Sequence, residues 1–252
     1  MKTDVKSHSP LIARLALLYF ILTIGVVGTL TAYLLSLPLY LLSRLIRGPE
    51  RLADLILQKA VFLLMKLQPW FNGTVHMTLP ERARNQGILI VSNHRSTLDV
   101  FILLSRVPGV RILAKRDLMF VPFLNVMMWA MRQIPVSKGS AVQFLAAMDE
   151  VRRRLRSGET VHVFPEMTRC PLGYEGVQNF MVAPFLAAMR ENVTIVPVVF
   201  KGTDSVWPKG AGGLFSGHPV TAKTLEPVDP GQFKTADELR TEIHSRIQAA
   251  LA

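Results

Sequence analysis

A histidine and an aspartate five residues apart stand in Val91-Ser92-Asn93-His94-Arg95-Ser96-Thr97-Leu98-Asp99, directly after the apolar run Gly87-Ile88-Leu89-Ile90-Val91. Histidine titrates near neutrality, so His94 can take a proton from a hydroxyl at working pH. A carboxylate on the other ring nitrogen would hold the tautomer and stabilise the imidazolium, as in a serine-hydrolase triad without its serine. If the chain turns helical after Ser92, a five-residue offset lets the two side chains meet across a bent turn. The pair also fits a structural role, with His94 closing a strand end and Asp99 beginning a helix. Spacing alone does not separate the two readings.

Three further stretches carry polar chemistry at the ends of short apolar runs, where α/β folds build their sites. Ile134-Pro135-Val136-Ser137-Lys138 ends on a lysine, and Val163-Phe164-Pro165-Glu166-Met167-Thr168-Arg169 on a glutamate and an arginine. Lys138 and Arg169 suit phosphate, with arginine favouring bidentate contact. Glu166 could orient Arg169 or hold an acceptor hydroxyl. Singly, each also fits an ordinary surface ion pair. Ile195-Val196-Pro197-Val198 puts a proline inside a strand, which calls for an edge or a bulge.

The elements that must position these groups follow from periodicity and punctuation. Strands are expected at 73–77, 88–91, 110–114, 134–136, 161–164 and 194–200, with a weaker, edge-like one at 220–225. Helices are expected at 50–67, from 100, at 118–131, at 141–156, at 182–192 entering at Pro184, and from Thr235 to 251. Thr235 and Glu238 form a capping box for the last of these. The methionine-rich stretch 118–131 reads as core, or as an adaptable lining for a lipid chain. Residues 209–217 hold four glycines and read as a flexible surface loop. The basic run Arg152, Arg153, Arg154 and Arg156 complements a helix C-terminus, or docks an acidic carrier protein or lipid phosphates. Alternating helices and short strands give an α/β fold: a mostly parallel sheet flanked by helices.

The apolar residues are concentrated near the N-terminus. No residue from 15 to 43 is charged, and Arg14 and Arg44 flank the run. A bilayer core needs about 20 apolar residues in a helix. This stretch exceeds the roughly 7–15 apolar residues of a secretion signal, and no clear small-residue cleavage site precedes Arg44. It reads as a retained membrane anchor over about 11–45, bending near Pro38. Helix 50–67 would lie in the interface or cover the domain, and Trp70-Phe71 would stand at headgroup level or in the core. The expected division is a membrane anchor and interfacial helix over 1–70 and an α/β domain over 71–252.

The formal net charge is +11, with Arg44, Arg47, Arg51 and Lys59 close behind the apolar segment. The positive-inside rule puts that flank and the following domain in the cytoplasm, at the inner membrane if the cell is bacterial. This charge suits an anionic lipid surface. Nucleic acid is not an expected partner, because no helix-turn-helix, zinc-finger or RNA-binding-sheet signature is present. Cys170 is the single cysteine, which excludes an intrachain disulfide and a cysteine-cluster metal site.

In this order, the motifs resemble the glycerolipid acyltransferase family that includes the 1-acylglycerol-3-phosphate acyltransferases. The family's N-H-x-x-x-x-D block stands as residues 93–99, its F-P-E-G-T-R block as residues 164–169, and its V-P-V strand as residues 196–198. Ala114-Lys115-Arg116-Asp117-Leu118 with Pro122-Phe123 looks like its link between the first two blocks. The resemblance implies that His94 is a general base oriented by Asp99. It implies that Asn93, Glu166, Thr168 and Arg169 bind the acceptor, with Lys138 assisting. It implies direct transfer from acyl-CoA or acyl carrier protein to a lysophospholipid hydroxyl, with no metal and no organic cofactor. The missing G-x-S-x-G elbow agrees with a route that needs no acyl-enzyme. Met167 replaces the family's glycine, Lys138 replaces an arginine, and the usual lysine-glycine pair is absent from 170–189. These departures leave the headgroup open, so remodelling of another lysophospholipid and transacylation stand as alternatives. Outside enzymes, a lipid- or carrier-binding membrane protein is the remaining reading.

Overall fold

A computed structural model of the chain describes residues 10–31, 34–35, 37–42, 45–46, 49–81, 86–121, 124–137, 139–171 and 173–251. Its strands are β1 (Asn72–His76), β2 (Ile88–Ser92), β3 (Arg111–Lys115), β4 (Ile134–Val136), β5 (Thr160–Val163), β6 (Thr194–Lys201) and β7 (Pro219–Thr224). They form one sheet in the order β1-β7-β6-β2-β5-β3-β4. From β6 to β4 every pairing is parallel; β7 runs antiparallel to β6 and parallel to β1. This is the mostly parallel α/β sheet expected from the sequence.

The helices are α1 (Pro10–Phe20), α2 (Gly28–Thr31), α3 (Leu37–Leu42), α4 (Pro49–Lys66), α5 (Leu98–Arg106), α6 (Leu124–Ala130), α7 (Ala141–Arg156), α8 (Ala183–Glu191), α9 (Thr203–Val206) and α10 (Ala236–Leu251). Because strand side chains alternate, β2 feeds two separate cores. Ile88 and Ile90, with Val196, Val198 and Phe200 of β6, pack beneath α1, α4 and α5. Leu89 and Val91, with Val161, Val163 and Ile195, pack against α7, α8 and α10. The central strands are thus covered on both faces, which is why they read as continuous apolar runs.

Residues 10–31 form one helix of 22 residues, α1 and α2 joined through π-helical turns at Ile21–Val27. Among the described residues it is the one helix long and apolar enough to cross a membrane. Ala13, Phe20 and Ile24 are buried at helical spacing, whereas Leu11, Leu15, Leu18 and Leu22 are exposed. One face therefore docks on the domain while the opposite face stays apolar and uncovered. Helix α4 does the same, burying Ala53, Leu57, Val61 and Leu64 and exposing Leu52, Leu55 and Leu63.

Several local expectations need correcting. Pro38 is the second residue of α3, where its fixed φ is favourable, beyond the end of the helix Pro10–Thr31. The stretch 118–131 is divided: a 3-10 turn, Arg116–Phe120, precedes α6. Val121 takes the extended conformation (φ −86°, ψ 122°) that a following proline imposes. Strand β7 is internal, between β6 and β1. Pro197 sits opposite a bulge, because Ile195 bridges Val228 and Val198 pairs with Thr224, leaving one extra residue on the partner side. Trp70 is in the core, edge-on to Phe20. All four arginines of the 152–156 run are paired: Arg152 and Arg156 with Glu191, Arg153 with Glu150, and Arg154 with Glu150 and Glu159.

Candidate active site

Strand β2 ends at Ser92, and the chain makes a short polar corner before α5 starts at Leu98. In that corner His94 Nδ1 lies 3.0 Å from Asp99 Oδ2. A carboxylate only accepts, so Nδ1 carries the proton and Nε2 keeps a lone pair for the cavity that His94 lines. Asp99 is fully buried in the first turn of α5. Its Oδ2 also accepts from the backbone N–H groups of Arg95 and Ser96, both at 2.8 Å. Asp99 therefore shapes the corner as well as the imidazole. Phe164 stacks on the other side of His94, with ring centroids 3.8 Å apart and planes at 19°.

Two residues expected to touch substrate are occupied elsewhere. The Asn93 amide is buried, donating to Phe200 O and accepting from Phe200 N at 2.9 Å each. It ties β2 to β6. Glu166 accepts from His94 N at 2.8 Å through Oε1 and from Gln178 Nε2 at 2.6 Å through Oε2. It braces the corner, and among the described residues it makes no hydrogen bond to Arg169. Burial pushes its carboxyl above the usual range, partly offset by hydrogen bonds from His94 and Gln178. Lys138 lies outside the described residues.

Thr168 and Arg169 line the same cavity as His94, a space of about 370 Å³ at the carboxyl ends of the parallel strands. Arg169 Nη1 donates to Thr97 Oγ1 at 3.0 Å, which places the guanidinium one turn from the base. Lys115 and Lys209 add two more cations to the lining, and among the described residues no aspartate or glutamate contributes to it. Met167 lines it too, at φ 55°, the left-handed conformation that a glycine adopts without strain.

The segment after β6 is not the loose loop its glycines suggest. Asp204 pairs with Arg95 at 2.6 Å, and Ser96 Oγ donates to Trp207 O at 2.8 Å. Lys209 Nζ reaches Arg169 O at 3.0 Å and Thr168 Oγ1 at 3.3 Å. Farther on, Leu214 N donates to Ala13 O of α1 at 2.9 Å. A Cβ on Gly213 would stand 2.8 Å from Ala13 Cβ, so this approach to the helix requires glycine. His162 is another residue missed from sequence: fully buried, with Nε2 2.8 Å from Ser92 Oγ and its ring edge-on to Phe164. Its only signal was a polar side chain inside an apolar strand. Gln178, in a stretch without periodicity, gave none.

A mostly parallel α/β sheet thus carries a histidine–carboxylate pair beside a cation-lined cavity at its strand ends. The chain belongs to the acyltransferase family, whose model matches residues 74–201, about half of the chain. It is 27% identical over 161 residues to the chloroplastic 1-acyl-sn-glycerol-3-phosphate acyltransferase LPAT1 of Arabidopsis thaliana, covering 64% of this chain and 44% of that one. It is 29% identical over 157 residues to the human 1-acyl-sn-glycerol-3-phosphate acyltransferase alpha, covering 62% and 54%. The chain thus spans about half the length of the curated relatives it matches. The crystal structure of the 1-acyl-sn-glycerophosphate (LPA) acyltransferase PlsC from Thermotoga maritima superposes with a TM-score of 0.71 at 26% identity. That match covers 94% of this chain and 93% of that one.

Proposed function

We propose that the protein is a membrane-bound O-acyltransferase that moves a fatty acyl group from acyl-CoA or acyl carrier protein to a hydroxyl of a lysophospholipid such as lysophosphatidic acid. The observation that carries this reading is the His94–Asp99 pair, with Nε2 free, on a cavity lined by Arg169, Lys115 and Lys209. The acyltransferase relatives supply the reaction type. In the proposed step His94 Nε2 takes the hydroxyl proton as the oxygen attacks the thioester carbon. The new C–O bond forms, the C–S bond breaks, and the imidazolium returns the proton to the thiolate. Asp99 stabilises the imidazolium in between. Arg169 holds the phosphate of the acceptor, with Thr168 beside it.

We also read residues 1–70 as the anchor and 71–252 as the catalytic domain. Support comes from the uncovered apolar face of Pro10–Thr31 and from the exposed leucines of α4. A cytoplasmic domain is supported by the cations that follow, under the positive-inside rule.

Purified full-length protein given lysophosphatidic acid and labelled acyl-CoA or acyl carrier protein should form phosphatidic acid. His94→Ala should reduce that rate at least about 10³-fold with an unchanged melt. Full transfer by both His94→Ala and Asp99→Ala would sink the mechanism. Product formed only when a second phospholipid serves as donor would make the protein a transacylase.

A further inference from the structure

We infer that Lys209 is a headgroup ligand that works with Arg169 to select acceptors bearing a phosphomonoester; this rests on the acyltransferase reading above. Lys209 follows β6 by eight positions and comes from an element outside all three family motifs. Its ammonium has three N–H groups. Two meet neutral oxygens, Arg169 O at 3.0 Å and Thr168 Oγ1 at 3.3 Å. No carboxylate lies within ion-pair distance of Lys209 or Arg169 among the described residues. Lys115, the third cation of the lining, is different, because Asp117 pairs with it on the exposed side.

Lys209 is also held in place. Asp204 and Trp207 fix the segment to Arg95 and Ser96 of the catalytic corner, and Leu214 fixes it to α1. Phe20 of α1 stacks edge-on against Trp207, with centroids 5.6 Å apart. The ammonium is thereby set against the Thr168–Arg169 backbone while its charge remains uncompensated. Two uncompensated cations on one cavity match a phosphomonoester, which carries close to two negative charges at pH 7. A phosphodiester headgroup carries one, and choline or ethanolamine cancels even that. Arginine supplies the bidentate contact, and lysine supplies a compact point charge beside it.

The test compares the full-length wild type, Lys209→Met and Lys209→Arg with lysophosphatidic acid and lysophosphatidylcholine at saturating acyl donor. Lys209→Met should raise KM for lysophosphatidic acid about tenfold or more, the loss expected for one charge-assisted hydrogen bond. It should leave kcat within about twofold and KM for lysophosphatidylcholine unchanged, and Lys209→Arg should restore most of the affinity. Stabilisation of the melt by glycerol 3-phosphate should weaken in Lys209→Met. If KM rises equally for both acceptors, or for neither, Lys209 only staples the Thr168–Arg169 turn and the inference is overturned. A wild type that acylates neither acceptor defeats the acyltransferase reading instead. In that case the glycerol 3-phosphate melt still decides whether Lys209 binds phosphate.

Discussion

At the amino end of β3, Arg111 is almost fully buried, and carboxylates meet it on two sides. Asp54 of α4 and Glu159 just before β5 each lie at 2.7 Å. Asp54 also accepts from Arg132 at 3.2 Å and Tyr40 at 2.6 Å. At the carboxyl end of the sheet, Arg169 and Lys209 face a cavity with no acidic lining among the described residues, and Asp99 and Glu166 are engaged elsewhere. Asp99 serves His94 and two backbone N–H groups, and Glu166 serves His94 N and Gln178. The acids record the difference. Burial alone would raise Glu159, but hydrogen bonds and charge from Arg111 and Arg154 hold it below the usual range. Burial pushes Glu166 up, with only neutral donors beside it and the His94 ring to oppose. Where a cation is balanced inside the protein, it fixes the fold. Where it has no counter-charge inside the protein, as at Arg169 and Lys209, it stays available to an anion from outside.

The largest test of that contrast falls on the base. In Asp99→Asn the amide oxygen can still accept from His94, Arg95 and Ser96, so the corner keeps its shape. The negative charge that stabilises the imidazolium is gone, and kcat should fall about 10³-fold. A loss below about tenfold, measured with lysophosphatidic acid and acyl-CoA, would mean that Asp99 only shapes the loop.

The opposite end should respond in stability and not in chemistry. Asp54→Ala leaves the buried Arg111 with one carboxylate and removes the shared partner of Arg132 and Tyr40. Its expected cost is about 3 kcal/mol in urea unfolding, with kcat per folded molecule retained. Arg169→Met should show the reverse, an unchanged melt and a raised acceptor KM. Equal stability losses from the two variants would abolish the distinction between the two ends.

The parts visible in the sequence were those governed by local rules. The apolar strands 88–91 and 194–200 announced a doubly covered sheet. Thr235 and Glu238 announced the start of α10, where Glu238 N donates to Thr235 Oγ1 at 3.1 Å. His94 and Asp99 were legible because one turn joins them. The contacts hidden from the sequence are those whose partners lie far along the chain. Asn93 meets Phe200, Glu166 meets Gln178, Gly213 meets Ala13, and Arg152 and Arg156 meet Glu191. Nothing local distinguishes an asparagine clamping two strands from one reaching for substrate. A glycine-rich segment likewise reads as loose until the helix it touches is known.

His162 bears on the same contrast at smaller scale, because it lies between the two ends and has no counter-charge. Burial, and then repulsion from His94, keep it well below the ordinary histidine range, so the native state holds it neutral. The unfolded chain protonates it below about pH 6.5. Stability is therefore complete above that pH and declines as the pH falls toward the native value. Between pH 7.5 and 5.5 the loss should be about 1.4 kcal/mol. His162→Gln should lose that much less over the same interval, as read from thermal melts at the two pH values. An identical pH dependence in both proteins would show that His162 titrates alike in the native and unfolded states and is not held neutral by the fold.

The smallest effect is expected at Met167, where the cavity meets the backbone. Its φ of 55° costs a non-glycine residue about 1 kcal/mol, and its side chain packs on the core beneath α7 and α8. Met167→Ala keeps the strained backbone and loses the packing. Met167→Gly loses the packing but removes the strain, against the roughly 0.5–1 kcal/mol that glycine adds to unfolded-chain entropy. The glycine variant should therefore be no less stable than the alanine variant, although it is the more drastic truncation. Both enlarge the space beside Thr168 and Arg169, so both should lower KM for lysophosphatidylethanolamine relative to lysophosphatidic acid by several-fold. An alanine variant clearly more stable than the glycine variant would mean that no strain is held at this turn. Unchanged selectivity in both would mean that Met167 packs the turn without restricting the headgroup.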